Sequence, residues 1–85
     1  SIFTPELMNN LYKITDPEAL YSELVKIIQV APRMSEEFRR KELQQLKLAY
    51  LRGEQRGNPL LELQKLATNL FQKGQGQGII KPKMK

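Results

Sequence analysis

The apolar residues of this chain recur at helical spacing in four successive segments, each preceded by a residue that suits a helix cap. In the first segment, Thr4 is the predicted cap and Pro5 the first helical residue, where a missing amide costs nothing. Pro17 ends this short helix, because the residue before a proline is displaced from helical geometry. The apolar side of the helix consists of Leu7, Met8, Leu11 and Tyr12.

The second segment predicts an amphipathic helix of about 14 residues that begins at Pro17. Its cap is either Thr15, in a capping box with Glu18, or Asp16. A strand over residues 25–30 is the alternative, but the helical spacing of the apolar positions favours a helix, which ends before Pro32. Those apolar positions are Leu20, Leu24, Ile27 and Ile28.

The third segment predicts the longest helix, from Ser35 to Arg52, with Ser35 as its cap. One apolar arc of this helix contains Phe38, Leu43, Leu46, Ala49 and Tyr50. Arg39 and Glu42 also fall inside the arc, which is unusual for a plain core face, whereas Leu48 and Leu51 project from the opposite side. We therefore expect this helix to contact more than its own core.

The fourth segment opens at Asn58-Pro59, after a polar loop that Gly53 and Gly57 are expected to bracket. Its helix is predicted to run to about Lys73, where Gly74 stops it. The face that it turns inward consists of Leu60, Leu63, Leu66, Ala67, Leu70 and Phe71. The alternating glycine and glutamine residues of 74–78 predict a flexible connector.

Taken together, the four segments predict an all-α fold. It is an antiparallel three-helix bundle preceded by a short N-terminal helix. Residues 1–73 form the single domain, and residues 74–85 form a flexible linker and a basic C-terminal tail.

Most of the net charge of +5 lies at the C-terminal end of the chain, since residues 73–85 carry four lysines and no acid. A basic tail suits nucleic acid, an anionic membrane surface or an acidic protein, and its expected contacts are Lys81, Lys83 and Lys85. No apolar run approaches the roughly 20 residues of a membrane span, so the protein is expected to be soluble or peripheral.

The residues that usually carry catalysis or bind metal are scarce. The chain has no histidine and no cysteine, and its serines are explained by the terminus, a solvent face and a cap. A serine and lysine pair is the remaining catalytic alternative. We therefore predict that the protein is not an enzyme and has no metal site and no cofactor of its own.

Basic and apolar residues outside the core are the candidates for partner binding. Arg39, Arg40 and Lys41 form a cluster that fits either a solvated helix face or a docking surface for acidic groups. The complete predicted set is Tyr21, Arg39, Arg40, Lys41, Lys47, Leu48, Leu51 and Arg52.

Residues 17–71 resemble the LYR (leucine-tyrosine-arginine) family of small mitochondrial helical proteins. Leu20-Tyr21-Ser22-Glu23-Leu24 opens a helix in the manner of the family, and Phe38-Arg39-Arg40 begins a basic second helix. Tyr50-Leu51-Arg52 and Asn58-Pro59 then follow at about the expected distances. Two departures stand out: Ser22 replaces the arginine of the tripeptide, and Tyr50 replaces a phenylalanine. Leu11-Tyr12-Lys13 matches the tripeptide more closely, but Asp16-Pro17 interrupts its helix early.

The resemblance implies an assembly factor or accessory subunit on the matrix side of mitochondria. Many members bind acyl carrier protein, whose acyl-phosphopantetheine enters the helical bundle while its acidic surface meets basic residues. By motif position, Tyr21 then lies near the prosthetic group and Tyr50 near the apolar interior. Both tyrosines also fit the simpler description of aromatics at the core edge.

The leading functional hypothesis is a helical adaptor that protein partners hold within a larger complex. A small basic module associated with RNA or DNA, such as a ribosome-associated protein, is the alternative, although the tail lacks aromatic platforms for bases. A third hypothesis gives the lysines of the tail a role at an anionic membrane.

Overall fold

Residues 4–76 of the computed structural model, with side chains up to Gln72, form four helices and contain no strand. The helices are α1 (Pro5–Tyr12), α2 (Pro17–Val30), α3 (Glu36–Arg56) and α4 (Pro59–Gly76). The predicted all-α class is therefore confirmed for this part of the chain.

The predicted caps begin the helices. Thr4 Oγ1 accepts a hydrogen bond from the Leu7 amide at 3.1 Å, and Ser35 Oγ accepts one from the Phe38 amide at 3.1 Å. Of the two alternatives at α2, Asp16 is the cap, since its carboxylate accepts from the Ala19 amide at 3.1 Å. Each cap satisfies an amide that the helix itself leaves without a partner.

A single apolar core joins all four helices. Its buried residues come from α1 (Met8, Leu11), α2 (Leu20, Leu24, Ile27, Ile28), the link to α3 (Ala31, Met34), α3 (Leu46) and α4 (Leu63, Ala67, Leu70). The inward faces of the three long helices agree with the predicted ones, and Glu42 lies buried in the arc of α3. Tyr12 differs: it was predicted on the apolar side of α1, but its side chain is exposed. The most extensive packing is between α3 and α4, α2 packs against both, and α1 packs against α4.

The prediction of a loop from Gly53 to Gly57 is wrong, because α3 continues through Arg56. Gly53 is a helical residue at a close approach: a Cβ there would lie 2.4 Å from Pro59 Cα. Gly57 ends the helix with a φ of 77°, the left-handed conformation that glycine adopts without strain. The Asn58 amide donates to the Gly53 carbonyl and the Gly57 amide to the Glu54 carbonyl, which is the Schellman pattern. The turn between α3 and α4 is therefore only two residues long.

The C-terminal end of α4 also differs from prediction, since the helix runs to Gly76 rather than to Lys73. A glycine costs about 1 kcal/mol relative to alanine inside a helix, which weakens the helix without ending it. The first residues of the predicted connector are thus helical. The rest of the connector and the tail contacts Lys81, Lys83 and Lys85 lie outside the described residues.

Candidate functional site

Two leucines of α3 face away from the core. Leu48 and Leu51 are each 46% exposed, as the sequence predicts. Leu48 is two residues from the buried Leu46, a rotation of about 200° around the helix, which places it on the opposite side. An apolar pair is therefore presented to solvent on α3, the longest helix within residues 4–76.

Basic side chains surround this pair along two columns of the helix. At about 100° per residue, Arg40 and Lys47 share a column with Leu51, and Lys41 and Arg52 share one with Leu48. All four basic residues are exposed. We call these six residues (Arg40, Lys41, Lys47, Leu48, Leu51 and Arg52) the α3 outer face. With a rise of about 1.5 Å per residue, they extend over roughly 18 Å of helix.

The cations of the α3 outer face are largely uncompensated. Within residues 4–76, no ion pair involves Arg40, Lys41 or Lys47. Arg52 alone among the four has an acidic partner, with its Nε 3.4 Å from Glu62 Oε2. The face therefore combines an apolar centre with a positive border, an arrangement that attracts an acidic surface.

Arg39 does not belong to this surface. Its guanidinium group donates to the carbonyl oxygens of Ile28, Ala31 (2.8 Å) and Met34 (3.1 Å), where α2 ends and the link to α3 follows. Glu36 lies 3.4 Å from its Nε, and the side chain is only 15% exposed. Arg39, predicted as a docking residue, is thus engaged within the fold, and its place inside the apolar arc was the sequence signal for this.

The two tyrosines of the family pattern contact each other. The ring centroids of Tyr21 and Tyr50 are 5.1 Å apart with an angle of 39° between the rings. Both rings are half-buried against the core. Burial raises the pKa of the Tyr50 hydroxyl, and the negative charges of Glu54, Glu18 and Asp16 and the Tyr21 hydroxyl add to the increase. The pair joins α2 to α3 at the core edge, which sequence spacing alone did not predict.

A buried carboxylate joins α4 to the C-terminal end of α3. Arg56 Nη1 lies 3.0 Å from Glu62 Oε1, and Arg52 Nε lies 3.4 Å from Oε2. Burial of the Glu62 carboxyl opposes its ionisation, but the hydrogen bond from Arg56 and the charges of Arg52, Arg56 and Lys65 prevail and lower its pKa. Spacing along the chain does not predict this cluster, because Glu62 is on α4 and the two arginines are on α3.

The stability of the protein is expected to depend on pH through Glu62. A carboxyl whose pKa is lowered by folding contributes stability above its unfolded pKa, about 4.3, and that contribution is lost as the pH falls through the folded pKa. The free energy of unfolding of the wild type should therefore exceed that of Glu62→Gln near neutral pH, and the difference should shrink in acid. Urea denaturation at a series of pH values measures it. Glu37→Gln, at an exposed position, is the control, and a difference for Glu62→Gln that is constant with pH would contradict the assignment.

An apolar groove lies between α1 and α4. Its volume is ≈ 370 Å³, and the residues that line it are Pro5, Met8, Asn9, Tyr12, Thr68 and Phe71. The hydroxyl groups of Tyr12 and Thr68 form a hydrogen bond to each other, and Thr68 Oγ1 also lies 3.0 Å from the Gln64 carbonyl oxygen. The spacing of apolar residues does not predict this groove, because the groove depends on how α1 lies against α4.

Residues 4–76 include no helix that is both long and apolar enough to cross a membrane. The same residues contain no group of three or more aspartate or glutamate side chains placed to hold a metal ion.

Comparison with known proteins gives no assignment. No protein-family model matches the chain, and no curated protein or solved structure matches it at a significant level. The resemblance to the LYR family therefore depends on the residues quoted from the sequence and stays a prediction.

Proposed function

We propose that this protein is a non-catalytic helical adaptor, an assembly factor or accessory subunit that binds an acidic partner protein through the α3 outer face. The observation that carries the proposal is the exposed pair Leu48 and Leu51 within a border of basic side chains. Protein interfaces commonly have this anatomy, with an apolar centre and a polar rim.

The two components of the face have different expected roles. Burying a leucine side chain is worth about 1.5–3 kcal/mol, so Leu48 and Leu51 account for most of the expected affinity. Arg40, Lys41 and Lys47 steer the partner and select for negative charge, which acts mainly on the association rate and on specificity. Their lack of ion pairs within residues 4–76 favours this role, because no internal pair has to be broken on binding.

Among acidic proteins, the resemblance to the LYR family favours acyl carrier protein as the partner. In this proposal the three long helices form an antiparallel bundle, and the complex belongs to the mitochondrial matrix side. The acyl-phosphopantetheine of the carrier protein approaches Tyr21, while Lys81, Lys83 and Lys85 add contacts from the tail. Contact between Tyr21 and Tyr50 supports the proposal, because it joins two of the positions that carry the resemblance. Ser22, in the place of the family's arginine, is exposed and offers a neutral hydroxyl to the phosphate.

The proposal is tested by replacing the apolar pair. Leu48→Asp with Leu51→Asp is expected to weaken binding to acyl carrier protein at least about tenfold, a loss of about 1.4 kcal/mol, because each change puts a charge in the centre of the interface. Isothermal titration calorimetry with purified acyl carrier protein measures the affinity.

Leu61→Asp is the matched control, since Leu61 is a leucine of α4 with a similar exposure of 43%. We expect it to bind like the wild type, and circular dichroism checks that all variants are helical. Equal affinity of the double variant and the control would remove the α3 outer face from the interface. Absence of binding by the wild type would exclude acyl carrier protein as the partner.

A nucleic acid is the second candidate partner, and the uncompensated charges of Arg40, Lys41 and Lys47 favour it. Binding to phosphates falls steeply with salt, with a slope close to the number of phosphates neutralised. A neutral change separates the two candidates, because two aspartates would repel nucleic acid as well. With Leu48→Ala and Leu51→Ala, affinity for RNA or DNA should respond to salt and little to the change, whereas affinity for a protein should fall clearly, since the apolar centre of the interface is lost.

A further inference from the structure

Two arginines at the C-terminal end of α3 converge on one buried carboxylate of α4. Arg52 Nε lies 3.4 Å from Glu62 Oε2, and Arg56 Nη1 lies 3.0 Å from Oε1. The Glu62 side chain is only 11% exposed, whereas those of Arg52 and Arg56 are 46% and 65% exposed. Each guanidinium group is therefore held at one nitrogen by a carboxylate inside the fold, while a large part of its side chain stays in water.

The positive charges around Glu62 exceed its negative charge. Lys65 is exposed and follows Glu62 by three residues, which places both on the same side of α4. Burial opposes the ionisation of this carboxyl group, but the hydrogen bond from Arg56 and the charges of the two arginines and Lys65 lower its pKa. Three cations and one carboxylate leave an excess of two positive charges at this point of the surface.

Neighbouring acids of α3 and α4 do not balance this excess. Glu62 is the only acidic residue of α4 within residues 59–76. Glu54 is the acid of α3 nearest in sequence, but it is two residues from both arginines, about 200° around the helix, so it points to another side. Within residues 4–76, Arg52 and Arg56 form ion pairs with Glu62 alone.

We propose that Arg52 and Arg56 form a binding site for a phosphate monoester, with Lys65 at its edge. At pH 7 a phosphate monoester carries a charge of about −1.5 to −2, which matches the excess of positive charge. A carboxylate or the phosphodiester of a nucleic acid carries only about one negative charge. Arginine suits this ligand because its planar group forms paired, charge-assisted hydrogen bonds to phosphate oxygens.

The contacts with Glu62 determine which edge of each arginine is open to the ligand. Since Arg52 donates to Glu62 through Nε, its two Nη groups are the edge that can bind phosphate. Arg56 donates through Nη1, which leaves the edge formed by Nε and Nη2. The site shares Arg52 with the α3 outer face, but it needs neither exposed leucine and no partner protein. The inference is therefore independent of the proposed function.

NMR titration of the full chain with phenyl phosphate at low salt and neutral pH tests the proposal, because salt screens exposed charges. The Nε–Hε resonances of Arg52 and Arg56 should move until saturation. The resonance of Arg33, an exposed arginine between α2 and α3, should stay in place. Dimethyl phosphate and acetate, which carry one charge each, should bind several-fold more weakly. This readout uses the wild type, so it does not depend on the folding of a variant.

A second titration compares two losses of one positive charge. Arg56→Gln should weaken the binding of phenyl phosphate at least about tenfold, because charge-assisted hydrogen bonds are lost. Arg33→Gln is the matched control and should bind like the wild type, and circular dichroism checks that both variants are helical. Equal affinity of the two variants, no saturable shift in the wild type, or equal binding of phenyl phosphate and dimethyl phosphate would overturn the proposal.

The same phosphate group occurs on small molecules and on phosphorylated side chains, and a further titration distinguishes these sources. Its probe is a short neutral peptide with one phosphoserine, which should also bind and shift Arg52 and Arg56. Tighter binding than that of phenyl phosphate assigns the site to a phosphorylated protein, and equal binding assigns it to a small phosphorylated compound. A peptide that leaves both resonances unmoved would contradict a site for phosphate monoesters.

Discussion

Replacing Arg39 by alanine is expected to lower the free energy of unfolding by about 3 kcal/mol, because a hydrogen bond to a charged group contributes about 1.5–3 kcal/mol. The carbonyl groups of Ile28, Ala31 and Met34 all lose their bond to the guanidinium group. Ala31 and Met34 are buried, so water replaces the lost bonds poorly. The whole free energy of unfolding of a native protein is about 5–15 kcal/mol, so the loss is a large part of the stability. Urea denaturation followed by circular dichroism measures it.

The neighbouring residue gives the matched control for this result. Arg40 is exposed and has the same side chain, so Arg40→Ala should change the free energy of unfolding by no more than about 0.5 kcal/mol. Arg39→Lys should recover only part of the loss, because one ammonium group lacks the planar fork that reaches several acceptors. If the Arg39→Ala and Arg40→Ala proteins were equally stable, the three hydrogen bonds from Arg39 to carbonyl oxygens would make no net contribution to the free energy of unfolding.

Gly53→Ala is expected to destabilise the protein by about 2 kcal/mol, although alanine is the better helix former by about 1 kcal/mol. The added Cβ would lie 2.4 Å from Pro59 Cα and 3.2 Å from both the Asn58 oxygen and Glu62 Cβ. The first of these is a backbone atom, so the start of α4 has to move, and overpacking of this kind costs about 1–3 kcal/mol or more. The midpoint of urea denaturation reports the loss.

Two nearby changes separate the clash from helix propensity. Gln55→Ala, at an exposed position two residues later in α3, should alter stability by no more than about 0.5 kcal/mol. Gly57→Asn should also be mild, because nothing lies within 4 Å of a Cβ there and asparagine tolerates a positive φ. A Gly53→Ala protein as stable as the wild type would show that α4 adjusts without cost.

Arg39 and Gly53 both affect the surface on which the proposed function depends. Arg39 joins the N-terminal end of α3 to the C-terminal end of α2 through its hydrogen bonds. At the other end of α3, Gly53 allows the first residue of α4 to approach closely. The α3 outer face lies between these points, on a helix whose orientation is set at both ends. A surface held on a rigid helix loses less conformational entropy when a partner binds.

The sequence by itself determined the features that depend on neighbours within about four residues. Thr4, Ser35 and Asn58 begin helices because a cap needs only its own side chain and the next turn. The inward and outward faces of the long helices followed from the spacing of apolar residues, and the exposure of Leu48 and Leu51 followed with them.

Only the tertiary structure decided what depends on how the helices lie against one another. Gly53 was expected to open a loop, but it lies inside α3, at a point where a side chain would collide with Pro59. Arg39 was assigned to a docking surface, yet it bonds to carbonyls up to eleven residues earlier in the chain. Tyr21 of α2 contacts Tyr50 of α3. Glu62 of α4 forms ion pairs with Arg52 and Arg56 of α3. The spacing of residues along a helix gives the direction of each side chain, but contacts between helices are set by the packing of the whole core.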